Sequence, residues 1–180
     1  MSTLPSWRAA VRVWRRSIYI YRRTWALNLL PNFFEPVFYL VGMGIGLGGY
    51  VGEIHGMRYQ DYLAPALVVS NAINGASFET TYNLYVKIHF NKTYEAIVAT
   101  PINMVDAMLG ELLWAVTRAG LYGGSFALML LPFGCLTPWG YLRLLPVILL
   151  SGWLFAAAGM LFTSYLKVID AFSFFYTLLM

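Results

Sequence analysis

The stretch Lys87-Ile88-His89-Phe90-Asn91-Lys92-Thr93-Tyr94-Glu95-Ala96-Ile97-Val98-Ala99-Thr100-Pro101-Ile102-Asn103-Met104-Val105-Asp106 decides the fold. It is a polar island with a long apolar run on either side. Backbone and side-chain polar groups cannot sit in hydrocarbon without partners. The island therefore reads as a loop in water, residues 86–106, fixed between two helices that cross a membrane.

Composition supports that reading. The 180 residues are 59% hydrophobic and 11% charged, with a mean hydropathy of +0.63. Soluble domains carry about 25% charged residues, so that class is excluded. The apolar runs reach the roughly 20 residues that a spanning helix needs, and the alternating segments of about 10 residues that mark a barrel are missing. The fold class is all-α, a polytopic helical membrane protein. It divides into a cytoplasmic amphipathic interfacial helix, residues 1–26, and a transmembrane domain, residues 27–180. Expected spans are 28–50, 62–85, 107–133 and 142–165, with an incomplete fifth at 171–180. The residues after Asp170 are too few to cross a bilayer, so the expectation is a fragment of a longer chain.

Within the first segment Trp7, Val11, Trp14, Ile18, Tyr21 and Trp25 recur at steps of three and four, and six arginines fall on the other side. A Trp-rich face opposite arginines is what a helix lying in the membrane surface needs. The arginines spread too widely for a signal peptide, and Glu35-Pro36 interrupts the apolar run that follows. Half of the twelve basic residues lie in the first 23 positions. That bias reads as topology and lipid contact rather than nucleic-acid binding. The N-terminal arm, Lys87 with Lys92, and Lys167 alternate with loops that hold Arg58 or nothing, which puts the N-terminus and the island in the cytoplasm.

No G-x-x-x-x-G-K-[ST] and no nucleophile elbow occur, so neither an ATP site nor a catalytic residue is expected in this chain. His55 and His89 lack metal-ligand spacing, and Cys135 is the single cysteine, which excludes an intrachain disulfide. Gly44, Gly46 and Gly49 match G-x-G-x-x-G but lack a strand-turn-helix setting. The Gly42/Gly46 and Gly44/Gly48 spacings read instead as close helix packing in lipid.

Glu35, Glu79 and Arg118 lie within the expected spans, in or near the inner half. A charge at the bilayer centre costs roughly 2.5–3.5 kcal/mol, so these groups are expected to pair or to face water. Arg118 is expected to neutralise Glu79 or Glu35 across helices, as a packing salt bridge or as part of a substrate path. Asn71, Asn74 and Ser77 are expected to face the protein interior with Glu79. Glu111, nearer the interface, is expected to snorkel. Residues 93–99 suggest a short surface helix, and Thr100-Pro101 suggests the start of the next one, with Thr as N-cap and Pro at its first position.

Three segments, read together, carry a resemblance. They are Phe78-Glu79-Thr80-Thr81-Tyr82, Lys92-Thr93-Tyr94-Glu95-Ala96-Ile97-Val98-Ala99-Thr100-Pro101 and Leu109-Gly110-Glu111-Leu112-Leu113-Trp114-Ala115. With Glu35-Pro36 they resemble the permease subunits of type-2 ABC exporters, and most of all the subgroup similar to nodulation lipo-oligosaccharide exporters. The match runs over nearly the whole chain. The resemblance implies a six-helix permease of the bacterial inner membrane that dimerises with a second copy and works with two ATP-binding subunits, which carry ATP and Mg. It implies that the loop after the second span is a coupling helix docked on the ATPase, here Lys92, Thr93, Tyr94, Glu95, Ala96, Ile97, Thr100 and Pro101. The expected cargo is an amphipathic or lipid-linked molecule moved outward through the lipid bilayer; nucleic acid is not an expected partner. The alternative is a non-transporting membrane scaffold or assembly subunit.

Overall fold

The computed structural model describes residues 6–54, 56–166 and 168–179, without the side chains of 29, 31–33, 35, 45, 98 and 179. The order is α1 (Trp7–Tyr39), a π-helical segment (Leu40–Gly46), α2 (Gly48–Val51), a hairpin of β1 (Glu53–Ile54) and β2 (Met57–Arg58), and α3 (Tyr59–Phe78). Helical backbone continues past α3 through two π-helical segments, Glu79–Asn83 and Val86–Phe90. Then come α4 (Thr93–Val98), α5 (Met104–Leu130), α6 (Pro138–Tyr165), a 3-10 turn (Ile169–Ala171) and α7 (Phe172–Leu179).

α5 is the central helix and packs against α1, α3 and α6. Its inward stripe is built largely from small residues, among them Ala107, Gly110, Ala115, Ala119, Gly123 and Ala127. Such residues let backbones approach closely, which is how helices associate where lipid supplies no hydrophobic drive. A Cβ on Gly110 would lie 2.6 Å from Val13 Cβ and 2.7 Å from the Ala10 carbonyl oxygen. A Cβ on Gly123 would lie 2.8 Å from Ala72 Cβ. Polar ties add to the packing: Trp14 Nε1 of α1 donates to Thr117 Oγ1 of α5 at 3.0 Å, and Thr163 Oγ1 of α6 donates to the Thr80 carbonyl, in the π-helical segment after α3, at 2.7 Å.

α6 is long and apolar enough to cross a membrane by length and composition, with a mean hydropathy of 2.1. Only 28% of its most apolar stretch is buried. Leu150, Trp153, Leu154 and Leu161 project from it exposed, the reverse of a core helix in a soluble protein. Thr137 caps its start by accepting the Gly140 N–H at 3.1 Å, and Pro138 occupies the first turn, where no N–H is needed.

Several expectations need correction. α1 runs unbroken through residues 26–28, where the sequence suggested a boundary, because no Gly or Pro lies there to stop it. It buries Ala9, Ala10, Val13 and Ser17, while Trp7 and Trp25 of the Trp-rich face are exposed. Small side chains win the contact with α5 because they permit the closer approach. The glycine run packs less than its spacing suggested. Gly44 meets Leu40 and Gln60, but a Cβ on Gly42, Gly48 or Gly49 would have nothing within 4 Å. β1 and β2 pair antiparallel, Glu53 opposite Arg58 and Ile54 opposite Met57, and the neighbouring glycines Gly52 and Gly56 have φ of 73° and 76°. His55, Lys167 and the side chain of Glu35 lie outside the described residues.

Candidate functional site

The site has two parts, a buried charge cluster and the short helix α4. The cluster begins where α3 changes to π-helical geometry at Glu79. Four- and eight-residue steps from Glu79 reach Asn83 and Lys87, and both side chains return to its carboxylate. Asn83 Nδ2 donates to Oε2 at 2.8 Å and Lys87 Nζ donates to Oε1 at 2.7 Å. From α5, Arg118 Nη1 makes an ion pair with the same carboxylate. Lys87 Nζ also bonds Glu111 Oε2 at 2.7 Å, so it bridges two carboxylates on different segments. Glu79, Glu111 and Arg118 are each buried. Two carboxylates and two cations sum to zero, which is the condition under which charges persist in a low-dielectric interior.

Arg118 then ties the cluster to α1. Its Nε and Nη2 donate to Tyr122 Oη at 3.1 and 2.6 Å, and Tyr122 Oη donates to the Asn28 carbonyl at 3.1 Å. The guanidinium also lies over the rings of Tyr122 and Tyr21, 5.1 and 5.8 Å from their centroids. α1, α3 and α5 are thus fastened at one point. The cluster borders a polar chamber of about 180 Å³, lined by Arg16, Tyr21, Lys87 and Trp114 among others.

α4 lies beside this cluster in the chain, after Lys92 has turned the backbone with a φ of 48°. Tyr94 and Ile97, three apart, are buried and pack with Leu84 and Ala107. Lys92, Glu95, Ala96, Ala99, Thr100 and Pro101 are exposed. Six residues cannot hold a helix alone in water, so this buried face is what keeps α4 in place. Burial pushes the Tyr94 hydroxyl well above its ordinary pKa, with the nearby Glu111 carboxylate adding to the effect, so it stays protonated.

Thr100-Pro101 does not start α5. The Thr100 hydroxyl donates back to the Ile97 carbonyl at 2.5 Å and closes α4. Asn103, extended at φ −75° and ψ 152°, takes the N-cap position of α5. Asp106, in the first turn of α5, accepts the Ser6 N–H at 2.7 Å and so pins the start of α1. Glu111 does not snorkel; it is 2% exposed because Lys87 meets it inside. Arg118 takes Glu79 as its partner. Asn71 and Ser77 face the interior with Glu79.

Lys87 is the residue that sequence reasoning missed. It was placed in the water-filled loop because the apolar run ends near residue 85. The signal was the Glu79, Asn83, Lys87 spacing, which keeps all three near one helical face, together with the seven-residue step from Glu111 to Arg118.

The chain is 37% identical over 169 residues to nodulation protein J of Rhizobium leguminosarum bv. trifolii, covering 93% of this chain and 64% of that protein. It is 35% identical over 183 residues to nodulation protein J of Rhizobium leguminosarum bv. viciae, covering 99% and 69%. It is 25% identical over 171 residues to the inner membrane transport permease YadH of Escherichia coli (strain K12), covering 93% and 65%. The chain thus spans about two thirds of the length of these relatives. No protein-family model and no solved structure matches it. With relatives above 30% identity matched along nearly all of its length, the chain belongs to the nodulation protein J family, with an inner membrane transport permease among its more distant relatives.

Proposed function

We propose that the chain is the membrane-spanning permease subunit of an ATP-driven ABC exporter. It is multi-pass, with its N-terminus and α4 in the cytoplasm, and it exports an amphipathic or lipid-linked molecule. ATP and Mg bind a separate ATP-binding subunit, and a second permease copy completes the pathway. The observation that carries this reading is the two-faced α4. One face is locked onto the helical body through Tyr94 and Ile97, and the other presents Lys92, Glu95, Ala96, Thr100 and Pro101 to the outside. A short helix held rigidly on one side and free on the other can pass a partner's movement into the helices as a rigid-body displacement.

The charge cluster supplies the stiffness. α1, α3 and α5 are joined at Arg118 and Glu79, so a push on α4, which sits between α3 and α5 in sequence, reaches all three. Glu79 and Arg118 brace the inner vestibule. The relatives' names, nodulation protein J and inner membrane transport permease, support a permease role.

The test is co-purification of the tagged full-length protein with the products of neighbouring genes. An attached ATPase that is lost when Glu95 and Ala96 are changed to Lys and Trp supports the reading. A stable, folded permease that never retains an ATPase refutes it and favours a membrane scaffold.

A further inference from the structure

Two cavities lie side by side between α1 and α5. The first is the polar chamber of about 180 Å³ next to the charge cluster. The second is a groove of about 640 Å³ lined by Ile18, Trp25, Leu121 and Ser125, with Arg22 on its wall. Tyr21 and Trp114 line both, and their rings meet edge-on with centroids 5.2 Å apart. A chamber lined mainly by charged and polar residues and a groove lined mainly by apolar ones therefore share one aromatic partition.

We propose that the two cavities form one binding site for an anionic phospholipid, with its phosphate in the chamber and an acyl chain in the groove. Charge supports this occupant. The chamber is lined by Arg16, Lys87, Arg118 and Glu79. With Glu111, which holds Lys87, the sum is three cations against two carboxylates, a surplus of one positive charge. That surplus belongs to Arg16, which has no ion-pair partner among the described residues. Its Nε is buried without a hydrogen-bond acceptor among the described residues. A buried donor left unmade is costly, and a phosphate is the acceptor whose geometry a guanidinium fork fits.

The groove distinguishes a lipid from a free phosphate. A sugar phosphate or inorganic phosphate needs the chamber alone and leaves the Ile18, Trp25 and Leu121 wall empty. A phospholipid fills both, and basic pockets between helices near the cytoplasmic leaflet are the usual seats of anionic headgroups. This inference goes beyond the permease reading. It needs a membrane but no ATPase, so loss of one leaves the other standing.

The experiment is native mass spectrometry of the full-length protein in detergent, titrated with phosphatidylglycerol, with phosphatidylcholine, and with glycerol 3-phosphate as the headgroup alone. Wild type is expected to retain phosphatidylglycerol about tenfold better than phosphatidylcholine, equivalent to about 1.4 kcal/mol. Arg16→Gln is expected to bring that ratio near one, and Leu121→Trp, which fills the groove, to lower retention of both lipids. Glycerol 3-phosphate is expected not to displace the lipid. Equal retention of the two lipids by wild type overturns the proposal, as does a preference untouched by Arg16→Gln. Binding of glycerol 3-phosphate with no effect of Leu121→Trp also overturns it, because the site would then take an anion alone. If Arg16→Gln does not fold, the wild-type ratio and Leu121→Trp decide.

Discussion

Replacing Arg118 with Met tests whether the buried cluster holds the helices together. Arg118 is 4% exposed and makes an ion pair with Glu79, which is also 4% exposed. Met fills similar space but removes the charge, so two carboxylates then face one cation. Breaking a buried pair on one side costs about 3–5 kcal/mol, mostly because the remaining charge is stranded. Glu79 keeps Lys87 at 2.7 Å and Asn83 at 2.8 Å, so the expected loss is at the lower end, about 3 kcal/mol. Adding Glu79→Gln restores balance, one carboxylate against one cation, and the amide still accepts from Lys87. The double variant is expected to recover to within about 1 kcal/mol of wild type, a coupling that double-mutant cycles are built to read. The assay is unfolding of the full-length protein in detergent at pH 7, for the two single variants and the double. Losses that add, or an Arg118→Met protein as stable as wild type, would refute the account of the cluster. Exchange of the two charges, Arg118→Glu with Glu79→Arg, is expected to assemble better than either single reversal.

Three further outcomes follow from the packing. Gly110→Ala places a Cβ 2.7 Å from the Ala10 carbonyl, so α1 must shift from α5; unfolding measurements are expected to show a loss of about 1–3 kcal/mol. Tyr94→Phe removes a buried hydroxyl with no hydrogen-bond partner among the described residues and is expected to leave stability within about 0.5 kcal/mol, whereas Tyr94→Ala opens a cavity worth about 3–5 kcal/mol and releases α4 to proteolysis. Thr163→Val removes the bond from α6 to the Thr80 carbonyl in the π-helical segment after α3 and is expected to cost only about 0.6 kcal/mol, since interhelical hydrogen bonds in membranes are weak on average.

Much of the fold was legible in the sequence where apolar runs end at strong punctuation. Helices α5 and α6 begin and end within a few residues of the apolar runs 107–133 and 142–165, because Pro132, Gly134 and Pro138 break the chain between them. Nothing comparable marks residues 26–28, so the continuity of α1 was invisible to composition. Of the site, Glu79 and Arg118 stood out because a charge in an apolar run demands a partner. Lys87 and Glu111 did not, because each lay near a boundary where water is the simpler partner. Only the three-dimensional meeting of the segment after α3 with α5 joins them. Periodicity picked out the Trp-rich face of α1 but not the Ala9, Ala10, Val13 and Ser17 face that meets α5, because small side chains carry little apolar signal.

The most direct test of the coupling role is cross-linking from α4 in the assembled complex. Ala96 is exposed and Tyr94 is buried, although they are two residues apart. In a Cys135→Ser background, Ala96→Cys is expected to cross-link to the ATP-binding subunit, while Tyr94→Cys is expected not to. A complex that stays intact through purification yet gives no cross-link from Ala96 would contradict the assignment of α4 as the contact that receives the ATPase's motion.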